Sequence, residues 1–303
     1  MAIKYLAGDR LIGTAAERAA MTQNLPDYEQ DFTTDATQNG WTATGSTWGS
    51  YSSSNPYVVL NPSGQGSGTA DPAVAFTYDL QHADALNGSN LSDTEWVFQF
   101  TAKVHSYSAN STCNYVDAVV AISDGTQWGS NNNSHFGIGF GNTDCSPNSE
   151  VHEIKFLNKH NKNLDGFHSV SDTNYQRVPD TQGEGYDLES NVGTTVGIRF
   201  VRTGSTAAYG QVWNSTFTTQ IGSNYSLTES HMSNLDDLRY IHLTAYSQGG
   251  ASGIEIRISD IKIWNDATSI TPVYPNLTNG AIFEESDTGK HYMFDGTSAW
   301  NEM

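Results

Sequence analysis

Apolar and polar residues alternate with a period of two through most of the chain, the spacing of half-buried strands rather than of helices. The pattern predicts strands at 73–80, 95–104, 115–122, 135–141, 151–158, 194–202, 206–213, 239–246 and 254–264. In the second of these, Trp96, Phe98, Phe100, Ala102 and Val104 fall on one face. In the last, Ile254, Ile256 and Ile258 share a face, but Ile261 and Ile263 resume it one residue out of phase. That change of parity predicts a β-bulge at Ser259-Asp260. Strands of this kind, separated by Gly, Ser, Asn and Asp turns, argue for a sandwich or barrel. No stretch alternates strands with long helices, which argues against a parallel α/β sheet.

The two ends have a different texture. Thr14-Ala15-Ala16-Glu17 has the form of a capping box, in which the Thr14 hydroxyl accepts from the Glu17 amide while Glu17 reaches back. A helix over 15–22 follows, and Asn24-Leu25-Pro26 ends it because the residue before proline is pushed away from helical angles. Ile3, Tyr5 and Leu6 ahead of it read as a short extended segment. At the other end, 281–285 and 290–294 flank Ser286-Asp287-Thr288-Gly289, a hairpin with glycine where positive φ is needed. Asp295-Gly296 then turns the chain into Ala299-Trp300-Asn301-Glu302. Three strands this short are barely self-sufficient, so the meander needs something to pack on. The chain therefore reads as 1–26, a strand plus helix; 27–267, a large sandwich; and 268–303, a small β-meander. Residues 1–26 and the C-terminal meander are expected to form one small α+β module, split by insertion of the sandwich, with Pro26 and Pro275 at the seams. Two independent tails are the alternative.

Composition adds to the picture in two ways. Only 16% of residues are charged while 11% are aromatic, a mix that suits pleated surfaces better than exposed helices. The balance of 14 Lys+Arg against 33 Asp+Glu gives a formal charge of −19, a surface that repels nucleic acid and anionic lipid. No apolar run is long enough to insert in a membrane as a helix. The opening MAIKYLAGDRLIG lacks a basic region followed by an apolar stretch, so no ordinary secretory signal is read there.

Three pieces of the middle region resemble the concanavalin A-like lectin/glucanase superfamily. They are Asp31-Phe32-Thr33 leading to Gly40-Trp41-Thr42-Ala43, the central run Asp93 to Phe100, and the closing Ile258-Ser259-Asp260-Ile261-Lys262-Ile263-Trp264. The resemblance implies an all-β, antiparallel jelly-roll sandwich whose first and last strands lie side by side. A second resemblance lies at the ends. The run from Lys4 to Arg18, and the run from Ile282 to Gly296 closing on Trp300-Asn301-Glu302, are similar to the ends of many phage and archaeal-virus structural proteins. It implies a virion component.

The glucanase branch of that superfamily uses two carboxylates at alternate positions of one strand, and retaining chemistry holds them ~5–5.5 Å apart. No Glu-x-Asp-x-Glu run is present. Glu150 and Glu153 face opposite sides of their strand, and Asp187-Leu188-Glu189 lies in a polar, loop-like stretch. Gly137-Ile138-Gly139-Phe140-Gly141 reads as a strand with close packing rather than a nucleotide loop, since no helix follows. Binding is better supplied than catalysis. The loop 123–134 carries Asp124, Trp128, Asn131 and Asn133, an indole to stack on a sugar face beside amides and a carboxylate for its hydroxyls. The alternative reading is an ordinary solvated turn. No cofactor is expected, and calcium is the one optional ion, with Asp117, Asp124 and Asp144 as its weak candidates. Cys113 and Cys145 flank two strands and either bridge at the open end of a hairpin or remain free thiols.

These features give a non-enzymatic virion structural protein, of the capsid-decoration, head-fibre or tail-tip kind, that displays a lectin-like sandwich at the virion surface. Its expected partners are other virion proteins, further copies of itself in a homo-oligomer such as a trimer, and a host-surface glycan. A free or cell-surface microbial carbohydrate-binding protein, hence extracellular, is the alternative. A glycoside hydrolase-like protein is the weaker one, because the carboxylate pair is missing.

Overall fold

A computed structural model of the chain describes residues 4–6, 10–22, 26–33, 40–43, 49–52, 54–61, 73–107, 115–126, 135–142, 152–159, 175–177, 188, 190–227, 236–248, 254–267, 279–295 and 300–303. The chain divides into two units, residues 1–26 with 269–303, and residues 27–268. In chain order the first segment holds β1 (Lys4–Leu6), β2 (Arg10–Gly13) and α1 (Ala15–Thr22). The large unit opens with β3 (Tyr28–Gln30), β4 (Trp41–Ala43), β5 (Gly49–Tyr51), β6 (Val58–Leu60) and β7 (Ala73–Asp79). It continues with β8 (Trp96–Ser106), β9 (Tyr115–Ser123), β10 (His135–Asn142), β11 (His152–Lys159) and β12 (Tyr175–Arg177). It ends with β13 (Thr195–Gly204), β14 (Ala207–Asn214), β15 (Gln220–Leu227), β16 (Tyr240–Gln248) and β17 (Glu255–Asn265). The last segment holds β18 (Ile282–Glu285), β19 (His291–Phe294) and β20 (Trp300–Glu302).

The large unit is an all-β, antiparallel sandwich. One sheet has the order β12-β11-β10-β9-β16-β7-β4; the other runs β15-β14-β13-β8-β17-β6-β5, with β3 also paired to β17. Between them lies one apolar core. The face of β8 read from the sequence is the core face: Trp96, Phe98, Phe100, Ala102 and Val104 are all buried. Phe136 and Phe200 stack across it, with ring centroids 3.7 Å apart. Burying aromatic rings of this size is the largest single contribution to such a core. Gly137 keeps β10 close to its neighbour, since a Cβ there would meet the Ala121 Cβ at 3.1 Å and the Val120 carbonyl oxygen at 3.2 Å.

The parity change in β17 is a bulge. The register with β8 slips between Ser259 and Lys262, and Asp260 takes φ 51°. The slip keeps Ile256, Ile258, Ile261 and Ile263 all buried in the core. It also divides one edge of β17 between two partners: Ile256–Ile258 pair with β6, and Ile261–Ile263 pair with β3. The first strand of the sandwich therefore lies against the last, the closing relation expected of a concanavalin A-like jelly roll. Asp27 Oδ2 accepts from the Asn265 amide at 2.6 Å and fastens the two together.

The small unit is a five-stranded sheet in the order β1-β2-β18-β19-β20. Its central contact is the parallel pairing of β2 with β18, in which Leu11 lies opposite Phe283. Leu11, Ala281, Phe283, Tyr292, Phe294 and Trp300 form its own core. The capping box forms as the sequence predicts: Glu17 N donates to Thr14 Oγ1 at 3.2 Å, and Thr14 N donates to Glu17 Oε2 at 2.7 Å. Gly289 takes φ 71° in the β18–β19 hairpin. Beneath α1, Arg18 Nε donates to the buried Glu285 carboxylate at 2.7 Å, and its guanidinium lies 3.6 Å from the centre of the Tyr292 ring. Among the described residues no helix is long and apolar enough to cross a membrane.

Candidate functional site

Of the residues proposed for the loop 123–134, Asp124 is described, as a half-buried side chain at the loop's base. Trp128, Asn131, Asn133, Asp144, Cys113 and Cys145 lie outside the described residues. So does the Asp117 side chain, although its backbone sits in β9 opposite Gly141 and Tyr246. Among the described residues no group of three His, Cys, Asp or Glu is placed to hold a metal ion.

The base of that loop is held by a residue the sequence reading passed over. His242 on β16 is buried and sits directly opposite Thr77 of β7 and Ala121 of β9. Its Nε2 lies 3.0 Å from the Gly125 carbonyl oxygen and its Nδ1 lies 3.1 Å from Thr77 Oγ1. A carbonyl can only accept, so Nε2 carries the proton, and in the neutral ring Nδ1 then accepts from the Thr77 hydroxyl. Burial pushes the imidazole down to about 4, which keeps it neutral near pH 7. Ser123 Oγ also accepts from the Gly125 amide at 3.1 Å, and Arg239 N donates to the Ser123 carbonyl at 2.8 Å. The turn that launches the loop is therefore fixed from three sides.

A second array lies on the outer face of the other sheet. Strand register places Gln211, Arg199, Gln99, Lys262 and Glu29 side by side across β14, β13, β8, β17 and β3. The five residues form a polar ladder. Arg199 donates from Nε and Nη2 to Gln99 Oε1 at 3.0 and 2.9 Å. Lys262 Nζ pairs with Glu29 at 2.7 Å. Gln211 Nε2 donates to Asn224 Oδ1 at 2.8 Å, and its Oε1 accepts from Trp213 Nε1 at 3.0 Å. One row along, Trp213, Gly197, Thr101 and Ser259 align, with the two hydroxyls 2.7 Å apart. The Arg199 guanidinium stacks 4.7 Å from the Trp213 ring centre and 5.4 Å from that of Phe217. Phe217 reaches this position because residue 197 is glycine: a Cβ there would fall 2.5 Å from its ring. Ordered amides, a guanidinium, hydroxyls and an indole on one rigid sheet face are the groups that hydrogen-bond and stack against sugars.

No family model matches the chain, and no curated protein matches it. Solved structures similar to it include the exoplasmic/lumenal domain of VIP36 in its Ca2+-bound form, 10% identical with a TM-score of 0.46, covering 81% of this chain and 97% of that one. Another is the CBM2 module of the evolved Dit of Lactobacillus casei BL23 phage J-1, 11% identical with a TM-score of 0.43, covering 80% and 97%. A third is the xylan beta-1,4-xylosidase from Bacillus halodurans C-125, 8% identical with a TM-score of 0.41, covering 80% of this chain and 40% of the xylosidase. Likeness at this level carries nothing about activity. What the chain's own topology defines is an antiparallel, two-sheet jelly-roll β-sandwich.

Proposed function

We propose that this protein is a non-enzymatic attachment protein whose sandwich binds a surface glycan, and that it serves as a structural component at a virion surface. The glycan reading is carried by the ladder Gln211–Arg199–Gln99 with Trp213 beside it, because it offers donors, acceptors and a ring already held in fixed register. Preorganised groups lose little freedom when a ligand arrives. Binding rather than hydrolysis is supported by the way nearby carboxylates are engaged: Glu29 pairs with Lys262, and Asp31 Oδ1 accepts from Thr33 N and Oγ1. The virion setting is supported by the two chain ends, whose sequences are similar to those of phage and archaeal-virus structural proteins; the small unit would anchor or oligomerise the protein within the particle.

A glycan array probed with the full chain tests the first part. Retention on at least one glycan is expected, with Arg199→Ala and Trp213→Ala each weakening it roughly tenfold. No retention, or retention unchanged by both substitutions, would overturn it. Antibody labelling of purified virus particles from a culture that makes the protein tests the second part. Recovery of the protein only in particle-free medium selects a free carbohydrate-binding protein instead.

A further inference from the structure

The sheet that bears the polar ladder gathers positive charge in an otherwise acidic chain. Its strands β3, β8, β13, β14 and β17 carry Lys103, Arg199, Arg202, Arg257 and Lys262, five of the 14 Lys and Arg. Against these they carry Glu29, Glu255 and Asp260, three of the 33 Asp and Glu. Three of the cations are matched: Arg202 is buried and pairs with Asp236 at 3.3 Å, Arg257 with Glu255 at 2.9 Å, and Lys262 with Glu29 at 2.7 Å. Among the described residues Lys103 and Arg199 have no carboxylate partner, and Asp260 stands exposed at the bulge without an ion pair. The two unmatched cations share the outer face. Strand alternation puts Lys103 on the side of Gln99 and Thr101, and Gln99 lies directly opposite Arg199.

Arg199 shows what is missing. Its side chain is half-buried, so part of it remains open to a ligand. Nε and Nη2 both donate to Gln99 Oε1, at 3.0 and 2.9 Å. That engages the side edge of the guanidinium fork and leaves the Nη1–Nη2 edge without an acceptor among the described residues. Burial pulls its pKa below the ordinary arginine value, yet a guanidinium stays charged. A half-buried charge answered only by a neutral amide and two aromatic rings is costly until an anion completes it. The free edge is the one that meets two oxygens of a carboxylate or sulfate side by side. Lys103 is four residues along β8 from Gln99, a span of ~13 Å in an extended strand. One small anion cannot reach both cations, whereas a chain of sugars can, running past Thr101 and Gly197 with Trp213 at its flank. The formal charge of −19 does not forbid this, because charges are screened beyond about 8 Å at physiological ionic strength.

We infer that the glycan taken at this face is an acidic oligosaccharide, with one carboxylate or sulfate on the free edge of Arg199 and a second toward Lys103. The inference rests on the glycan-binding reading and narrows it. An array carrying neutral, carboxylated and sulfated glycans side by side, probed with the full chain, tests it. Retention is expected on acidic members, roughly tenfold above neutral ones, and should fall as salt rises. For a retained glycan, methyl esterification of its carboxylates and removal of its sulfates tell which anion is read; the one that matters should abolish retention. Lys103→Gln, outside the ladder that carries the glycan reading, should weaken acidic glycans several-fold and leave the melting temperature unchanged. Retention equally strong on neutral glycans, or acidic retention indifferent to salt and to Lys103→Gln, would overturn the inference and leave glycan binding itself standing. Retention on no glycan at all would remove both.

Discussion

His242 Nε2 donates to the Gly125 carbonyl oxygen at 3.0 Å, tying the middle of one buried strand to the turn that opens the 123–134 loop. With Nε2 donating there, the neutral ring accepts from the Thr77 hydroxyl at Nδ1. Protonation removes that acceptor and places a charge where water does not reach.

Stability is therefore expected to fall on acidification. The folded-state imidazole sits at about 4 and the unfolded one near the ordinary ~6.5. Between those values the unfolded chain binds more protons, so stability rises with pH across the window and is lost as pH drops through it. The full span is worth about 3 kcal/mol. Urea denaturation at several pH values, compared between the native protein and His242→Gln, should show the native dependence flattened over pH 4–6.5 in the variant. Parallel curves would exclude His242 as the source.

Glu285→Ala should loosen the small unit without touching the sandwich. It leaves Arg18 without its 2.7 Å partner and removes the acceptor that Thr288 uses. Losing one side of such a pair costs about 1–3 kcal/mol. Hydrogen exchange should accelerate at Ile282–Glu285 and His291–Phe294 while the β8 amides keep their protection. Uniform acceleration through both units would contradict this assignment.

At Gly197, alanine should displace the Phe217 ring rather than break β13, since the clash is with the far end of one half-buried side chain. The expected cost is about 1 kcal/mol, read as a few degrees in the melting temperature. Altered ring-current shifts on the Arg199 side chain, which lies 5.4 Å from the Phe217 ring centre, would report the movement. An unchanged Phe217 environment would show that the sheet had yielded instead.

Asp260 tests the bulge. With φ at 51° it occupies the left-handed region, which a β-branched side chain tolerates poorly. Asp260→Val should cost about 1–2 kcal/mol, whereas Asp260→Gly should be close to neutral in thermal unfolding. Equal losses in both would mean that the carboxylate, not the backbone, matters there.

The sequence was most legible where one face of a strand is apolar and the other polar. β8 and β17 could be traced residue by residue, bulge included, because a missed step would have put isoleucines into water. The capping box was equally plain, since its two bonds join residues three apart. By contrast, β15 carries Gln-Ile-Gly-Ser-Asn-Tyr-Ser-Leu, a run too polar to be told from a loop. It is a strand because β14 offers it an edge to pair with.

The candidate sites were far less legible. Gln99, Arg199, Gln211 and Lys262 are spread over 164 residues of sequence, from 99 to 262, and become a ladder only through inter-strand register. His242 looks like any polar residue in an alternating strand.

What the sequence determined by itself was the fold class, the faces of its long strands and the caps and turns of its ends, because these depend on neighbours a few residues away. What only the tertiary structure decided was which polar side chains stand together. That choice rests on strand order and register, which emerge when two sheets bury a common core, and no local pattern in the chain encodes it.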